Sequence, residues 1–237
     1  VKITPRVEEY SFDLEFEALL AGTDGYELLT ELEFRGKPVG SVRSRLDGEC
    51  LKQKIYIESR HIDNQVYFWS PGDPAVYDFT FTLFKDGKPI DTVGSYCGFR
   101  DFRAEGGRVL LNGFPFYQKL VLYQGYWEKS GITPPDEEAI VHDISLIKEA
   151  GFNGARLHQK IFEERFHYWA DRLGYITWCE SPSWINKDPE SDNSYWQCAH
   201  RLMAEWFECV KRDCNHPSII AWTPTNETRT SLSRLRD

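Results

Sequence analysis

The sequence predicts a two-domain chain of β plus α/β class. An immunoglobulin-like antiparallel β-sandwich covers residues 1–100, and the first half of a (β/α)8 TIM barrel covers 101–237. Three observations predict it. Up to Arg100, apolar and polar residues alternate with a period of two between turn residues. After Arg100, short apolar strands alternate with helical patterns, which implies a parallel sheet with right-handed crossovers. Polar residues then recur at the C-terminal tips of those strands, where barrels carry their functional groups.

The sandwich elements come first. SFDLEFEALL alternates Phe12, Leu14 and Phe16 with polar partners. TELEFRGKPVGSVRSRL reads as two strands joined at Arg35-Gly36-Lys37-Pro38. AVYDFTFTLFKDGKPIDTVGSY has the same form, with Asp86-Gly87 as the strongest hairpin signal in the chain. The strand-and-turn rhythm fits a sandwich of immunoglobulin type, although no Cys-Trp-Cys spacing marks an antibody domain.

In the second part, the strand FYQKLVLY ends at Gln124-Gly125-Tyr126-Trp127. Thr133-Pro134-Pro135-Asp136 predicts a helix start with a hydroxyl N-cap and a proline at the first helical position. Ile140, Ile144, Ile147 and Ala150 follow at helical spacing, and Gly151 stops the helix. The strand FNGARLH, a helix with Phe162, Phe166, Trp169 and Leu173 on one face, and the strand YITWC come next. A helix over 195–213 and the strand SIIAW complete the order. A doubly wound nucleotide fold would show G-x-G-x-x-G after its first strand, and QGYWEKSG does not fit. A full barrel takes roughly 250 residues, so the chain reads as a half barrel, cut at both ends. Two open sheet edges would then make such a chain dimerise, misfold or aggregate. A homo-oligomer is one way of covering them.

Composition narrows the function classes. Charged residues are 27%, hydrophobic residues 41% and aromatics 15%, with 8 Trp. This is globular composition with an excess of flat side chains suited to stacking on ligands. A net charge of −9 repels phosphate backbones, which argues against nucleic acid as a partner. No apolar run reaches the roughly 20 residues of a membrane helix, which argues against a membrane role. VKITPRVEEY is no signal peptide and lacks an initiator Met, so an internal piece or a processed product is expected. The compartment stays open, cytoplasmic or secreted and periplasmic in a bacterium. The 6 Cys match no metal or disulfide framework and read as buried thiols, with a disulfide among Cys198, Cys209 and Cys214 left open. No metal and no cofactor is expected.

The strand tips supply the candidate chemistry. Glu227 closes the stretch NHPSIIAWTPTNE, where partial desolvation would suit a carboxylate to general-acid work. Position alone allows equally an N-cap or first-turn Glu on a following helix. Asn226 beside it is a hydroxyl binder or a turn residue. Glu180 ends WCES and serves as a second carboxylate, a hydroxyl acceptor or an ion-pair partner. Arg156 and His158, two residues apart, face one side. Arg156 suits orientation of a carboxylate, with a structural ion pair as the alternative. His158 suits a ligand hydroxyl rather than a metal, for lack of a second ligand at metal spacing. Gln124 stands at the first tip. Trp127, Trp178, Trp184 and Trp222 lie at or beyond strand ends, with Trp127 and Trp184 the first candidates for stacking on a sugar ring.

These residues carry a resemblance. NHPSIIAWTPTNE resembles the signature of glycoside hydrolase family two, the group of β-galactosidases, β-glucuronidases and β-mannosidases. WSPGDPAVYDFTF, Gly98-Phe99-Arg100, LNGFPFYQKLVLYQGYW, GFNGARLHQK and RFHYWADRLGYITWCES resemble further family segments in the family's order. The resemblance spans almost the whole chain and implies a retaining β-glycosidase, β-galactosidase-like, acting on β-linked O-glycosides. It implies Glu227 as general acid/base, Asn226 as the binder of the sugar 2-hydroxyl, and Arg156 near the nucleophile. Retention requires a second carboxylate about 5 to 5.5 Å from the first. The resemblance places that nucleophile on a later strand, outside this chain, and gives Glu180 a pocket role. Two departures stand. Arg156-Leu157-His158-Gln159 replaces the commoner Arg-x-x-His, and the family's N-terminal sugar-binding domain is absent. From another function class, a non-catalytic carbohydrate-binding or scaffold protein with a degenerate barrel stands as the alternative. The sugar and linkage are not legible.

Overall fold

The computed structural model describes residues 1–17, 22–57, 66–183 and 192–227, with the helical backbone alone over 192–199. Two compact units divide it. The first comprises Val1–Tyr117 with Cys214–Pro217, and the second Gln118–Asp213 with Ser218–Asp237.

The first unit is antiparallel throughout its sheets. Strands β1 (Lys2–Arg6), β2 (Ser11–Glu17), β3 (Tyr26–Phe34), β4 (Lys37–Arg45), β5 (Cys50–Tyr56), β6 (Tyr77–Lys85) and β7 (Lys88–Cys97) form two sheets, ordered β1-β2-β5 and β4-β3-β6-β7. The period-two pattern is the cause. Phe12, Leu14, Leu32, Ile55, Tyr77 and Phe79 turn inward and are almost fully buried. The Phe12 ring lies 4.2 Å from Phe99 and 5.1 Å from Phe79, edge-on to the latter. Burying each such side chain contributes about 1.5–3 kcal/mol. Both predicted hairpin turns are two-residue loops with positive φ at both positions, Arg35 (50°) and Gly36 (75°), then Asp86 (49°) and Gly87 (76°). The sequence reading passed over β1 and β5. It also passed over a small meander of β8 (Phe102–Glu105), β9 (Arg108–Leu111) and β10 (Phe114–Pro115). Cys214–Pro217 belongs here through Asn215, whose Oδ1 accepts from the Ile3 N–H at 2.8 Å. Tyr96 also lies 3.2 Å from Nδ1 of His216.

The second unit runs β11 (Leu120–Tyr123), α1 (Glu137–Glu149), β12 (Gly154–Leu157), α2 (Glu164–Leu173), β13 (Ile176–Glu180), α3 (Asp192–Asp213) and β14 (Ile219–Thr223). Its four strands form one sheet in sequential order, parallel at every pairing. Sequential parallel neighbours are the barrel arrangement. One face of the sheet carries Ala155, Leu157, Cys179 and Ile219 into a core with Ile140, Ile144, Phe166, Ala170 and Trp206 of the helices. The alternate residues, Arg156, Trp178 and Glu180, point the other way. A Cβ at Gly154 would stand 2.2 Å from the Ile176 carbonyl oxygen, so only glycine allows β12 to meet β13 there.

The helix caps bring one correction. α1 starts at Glu137 and its N-cap is Asp136, whose carboxylate accepts from the Ala139 N–H, not the hydroxyl of Thr133. The two prolines lie before the cap, and Asp136 is the first residue placed to reach an unpaired N–H of the first turn. α2 ends at Gly174, left-handed at φ 65°. Cys209 and Cys214 are not joined to each other in a disulfide, and the side chain of Cys198 lies outside the described residues. No helix among the described residues is long and apolar enough to cross a membrane.

Candidate active site

Five of the predicted residues form one connected polar chain across the C-terminal tips of the sheet. Glu180, the last residue of β13, is fully buried. A buried carboxylate needs a cation and hydrogen bonds, and it has both. Arg156 Nε donates to Oε2 at 2.5 Å, and the Gln159 N–H donates to Oε1 at 3.1 Å. Nε2 of His158 stands 3.9 Å from the same Oε1. Nη2 of the same Arg156 guanidinium donates to Oδ1 of Asn226 at 2.6 Å. One arginine thus spans the tips of β12, β13 and β14.

His158 is oriented in turn by Gln124. The amide nitrogen of Gln124 lies 3.0 Å from Nδ1 of His158. An amide NH2 only donates, so Nδ1 accepts and the ring proton sits on Nε2, the nitrogen nearest Glu180. The His158 N–H itself donates to the Tyr123 carbonyl at 2.9 Å, continuing the ladder one residue past β12.

Glu227 ends the described part of the chain. Its side chain is exposed rather than desolvated, and its backbone is left-handed at φ 46°. A non-glycine residue there is strained and persists where the surroundings fix it. The residue before it is fixed twice. Arg156 holds the Asn226 side chain, and the Asn226 N–H donates to the Ser183 hydroxyl at 2.7 Å. The stretch after Glu227 that would decide between a catalytic and a helix-capping carboxylate lies outside the described residues, as does Trp184.

The other tryptophans sit apart from this chain. Trp127 meets Tyr123 edge-on at 6.4 Å and lies under the Lys160 ammonium at 4.9 Å. Tyr123 packs on Phe162 and Phe166, so this is the helix-facing aromatic layer. Trp222 packs on Trp206 in that same core. Trp178 shares the polar face, and its indole donates to Gln118 at 2.8 Å.

Sequence reasoning missed three contributors. Gln159, left-handed at φ 52°, turns its N–H to Glu180. Lys160 donates to the carbonyls of Gly125 and Ile132, bracing the loop after β11, and burial pushes its pKa down. Gly125 permits that brace, since a Cβ there would lie 2.8 Å from the Phe162 ring. Ser183 anchors Asn226. The only signal for these was their place within two or three residues of a strand tip. Among the described residues no group of His, Cys, Asp and Glu could hold a metal ion.

In chemical terms, Glu180 has both oxygens engaged and serves as the anionic anchor of Arg156. Arg156 fixes Asn226, and the carboxylate next in line, Glu227, is open to solvent.

Known proteins resemble the chain along most of its length. The family model "Glycosyl hydrolases family 2" matches residues 1–100, and "Glycosyl hydrolases family 2, TIM barrel domain" matches 103–234. A β-glucuronidase of Streptococcus agalactiae is 28% identical over 200 residues, covering 78% of this chain and 31% of that protein. A β-galactosidase of Aeromonas hydrophila is 26% identical over 246 residues, 96% of this chain and 23% of that protein. The crystal structure of a β-glycosidase from Bacteroides vulgatus superposes with a TM-score of 0.80 at 21% identity, over 99% of this chain and 30% of that one. The chain therefore spans less than a third of these relatives. With the barrel-domain model matched over more than half of its length, the chain belongs to glycosyl hydrolases family 2.

Proposed function

We propose that the chain is the sandwich and first half-barrel of a retaining β-glycosidase, with Glu227 as general acid/base. The observation that carries this reading is the double anchoring of Asn226, which fixes the tip of β14 where the family resemblance puts the proton donor. In the first step Glu227 protonates the glycosidic oxygen while a second carboxylate attacks the anomeric carbon from the opposite face. In the second step the ionised Glu227 takes a proton from water, which displaces the enzyme carboxylate and restores the original anomeric configuration. Asn226 holds the 2-hydroxyl of the sugar at the cleavage point, and Arg156 stands near the nucleophile.

Glu180 is an unsuitable nucleophile because Arg156 and Gln159 occupy both its oxygens. The family resemblance puts the nucleophile on a later barrel strand, outside these 237 residues. The substrate class is β-linked O-glycosides, and the relatives' names make galactosides and glucuronides the first to try.

The test uses the full-length protein with 4-nitrophenyl β-galactoside and β-glucuronide. Glu227→Gln should lower turnover of the hydrolysed glycoside by about 10²–10⁴-fold. Azide, which needs no base, should then yield the β-glycosyl azide from the variant. Unchanged turnover in Glu227→Gln overturns the assignment. Activity in the isolated 237-residue chain, lost on Glu180→Gln, would return the nucleophile role to Glu180.

A further inference from the structure

We propose that Ser183 is a positioning residue for acid catalysis: its hydroxyl holds the Asn226–Glu227 backbone in the conformation that aims the Glu227 carboxyl. The proposal rests on the reading of Glu227 given above. Ser183 is 1% exposed, and its Oγ accepts the Asn226 N–H at 2.7 Å. The bond reaches across 43 positions of sequence, from the loop after β13 to the tip of β14.

Three features make that bond a brace rather than an incidental contact. Ser183 is itself held in place, since its N–H donates to the Ser181 carbonyl at 2.8 Å. The Ser181 N–H donates to the Thr223 carbonyl at 3.0 Å, so Ser181-Pro182-Ser183 forms a bracket on the end of β14. Proline between the two serines fixes its own φ and removes a donor that would compete. The bracket grips the end of β14 at Thr223 and the segment beyond it at Asn226, on either side of Pro224 and Thr225.

The second feature is the strain just beyond. Glu227 stands at φ 46°, a region side chains of L-residues avoid. A backbone released at Asn226 would relax towards the ordinary right-handed or extended regions and carry the carboxyl away from its line. The third is the division of labour. Arg156 grips the Asn226 side chain, which faces the sugar 2-hydroxyl in the proposed mechanism. Ser183 grips the main chain, which sets the direction of the next residue. Loss of Arg156 should therefore disturb sugar binding, and loss of Ser183 should disturb proton donation.

Proton donation can be read separately from binding. Cleavage of a dinitrophenyl glycoside needs no acid because the leaving group departs as a stable anion, whereas cleavage of a phenyl glycoside does. In the full-length enzyme, Ser183→Ala should lower kcat/KM on the phenyl β-glycoside by about 10- to 100-fold, the scale of a misplacement of about 1 Å. The loss on the 2,4-dinitrophenyl β-glycoside of the same sugar should stay below about threefold. Ser183→Thr keeps the oxygen and Ser183→Val replaces it with a methyl at equal volume. The first should retain the wild-type leaving-group dependence and the second should match Ser183→Ala. Equal losses on both substrates, no loss on the phenyl glycoside, or identical Ser183→Thr and Ser183→Val variants would each overturn the proposal. Glu227→Gln, run alongside, separates the two levels. If it shows no leaving-group dependence, the acid reading of Glu227 fails and the role of Ser183 fails with it. If it does and Ser183→Ala does not, only the positioning role is lost.

Discussion

Inside the sandwich, Thr30 donates to Gln53 at 2.6 Å, and Gln53 donates onward to the Leu28 carbonyl at 3.2 Å. At the tips of the parallel sheet, Arg156 donates to Glu180 at 2.5 Å and onward to Asn226 at 2.6 Å. Each of these two chains joins three residues, through Gln53 as acceptor and donor in the first and through Arg156 as donor to both partners in the second. One is neutral and the other carries full charges. Among the described residues every buried carboxylate, namely Asp171, Glu180 and Asp213, belongs to the second unit. The sandwich keeps its ion pairs outside, as with Arg43 and Glu27 or Lys54 and Glu9. A neutral pair completes the hydrogen bonding of a core at little electrostatic cost. A buried ion must be compensated by its neighbours, so it survives where its geometry is needed. The difference separates a unit built to be stable from a surface built to hold charge in place.

The largest expected effect breaks the charged chain. Arg156→Met in the full-length protein leaves Glu180 buried without its cation and should cost about 3–5 kcal/mol in urea unfolding at neutral pH. With Arg156 itself 35% exposed, the lower end of that range is expected. Adding Glu180→Met should restore part of the stability, because the uncompensated charge goes with it. A double variant no more stable than Arg156→Met would mean that lost packing, not charge, dominates. Gln53→Leu is the matched change in the sandwich and should cost about 1–3 kcal/mol, since Thr30 and the Leu28 carbonyl lose their partner. Combined with Thr30→Val it should recover the share lost at the Thr30 hydroxyl, with only the Leu28 carbonyl still short of Gln53, a recovery the charged pair should not equal because Asn226 loses Arg156 as well.

The sequence made the sandwich legible where alternation and two-residue turns coincide, as in the two hairpins around Arg35-Gly36 and Asp86-Gly87. It failed for β5 because a polar Gln53 takes a buried position while Cys50 and Tyr56 take exposed ones, which hides the alternation in CLKQKIY, and for the meander over 102–115 because FRAEGGRVLLNGFP buries few residues. In the second unit the apolar runs and glycine stops read directly as strands and helices, since every strand packs one face on helices. Site residues were legible where a side chain does the work at a strand tip, as for Arg156, Glu180 and Asn226. Gln159 and Ser183 act through or upon a backbone N–H, and a backbone role leaves no pattern of residue types to find. The stacking role expected of Trp127 came from position alone, which could not tell that its ring lies with Tyr123 and Lys160.

The smallest effect sharpens the comparison through pH and salt. Asp13 on β2 accepts from Arg6 at 2.6 Å and lies 3.4 Å from the Lys54 ammonium. The hydrogen bond from Arg6 holds its carboxyl below the usual 3.8, with the charges of Arg6 and Lys54 adding to it. A lowered carboxylate pKa means that the unfolded chain binds the proton first. Its contribution to stability is therefore complete above the unfolded value of 3.8, and is lost as pH falls through the lower folded one. The melting temperature of Asp13→Asn should lie slightly below wild type at about pH 6, and the gap should narrow on acidification below 3.8. Because the pair lies at the surface, about 1 M salt should close the same gap at pH 6. The Arg156–Glu180 pair, with its carboxylate shut away from solvent, should keep its effect in that salt. Equal salt sensitivity at both pairs would remove the distinction between an ion pair on the sandwich surface and one built into the site.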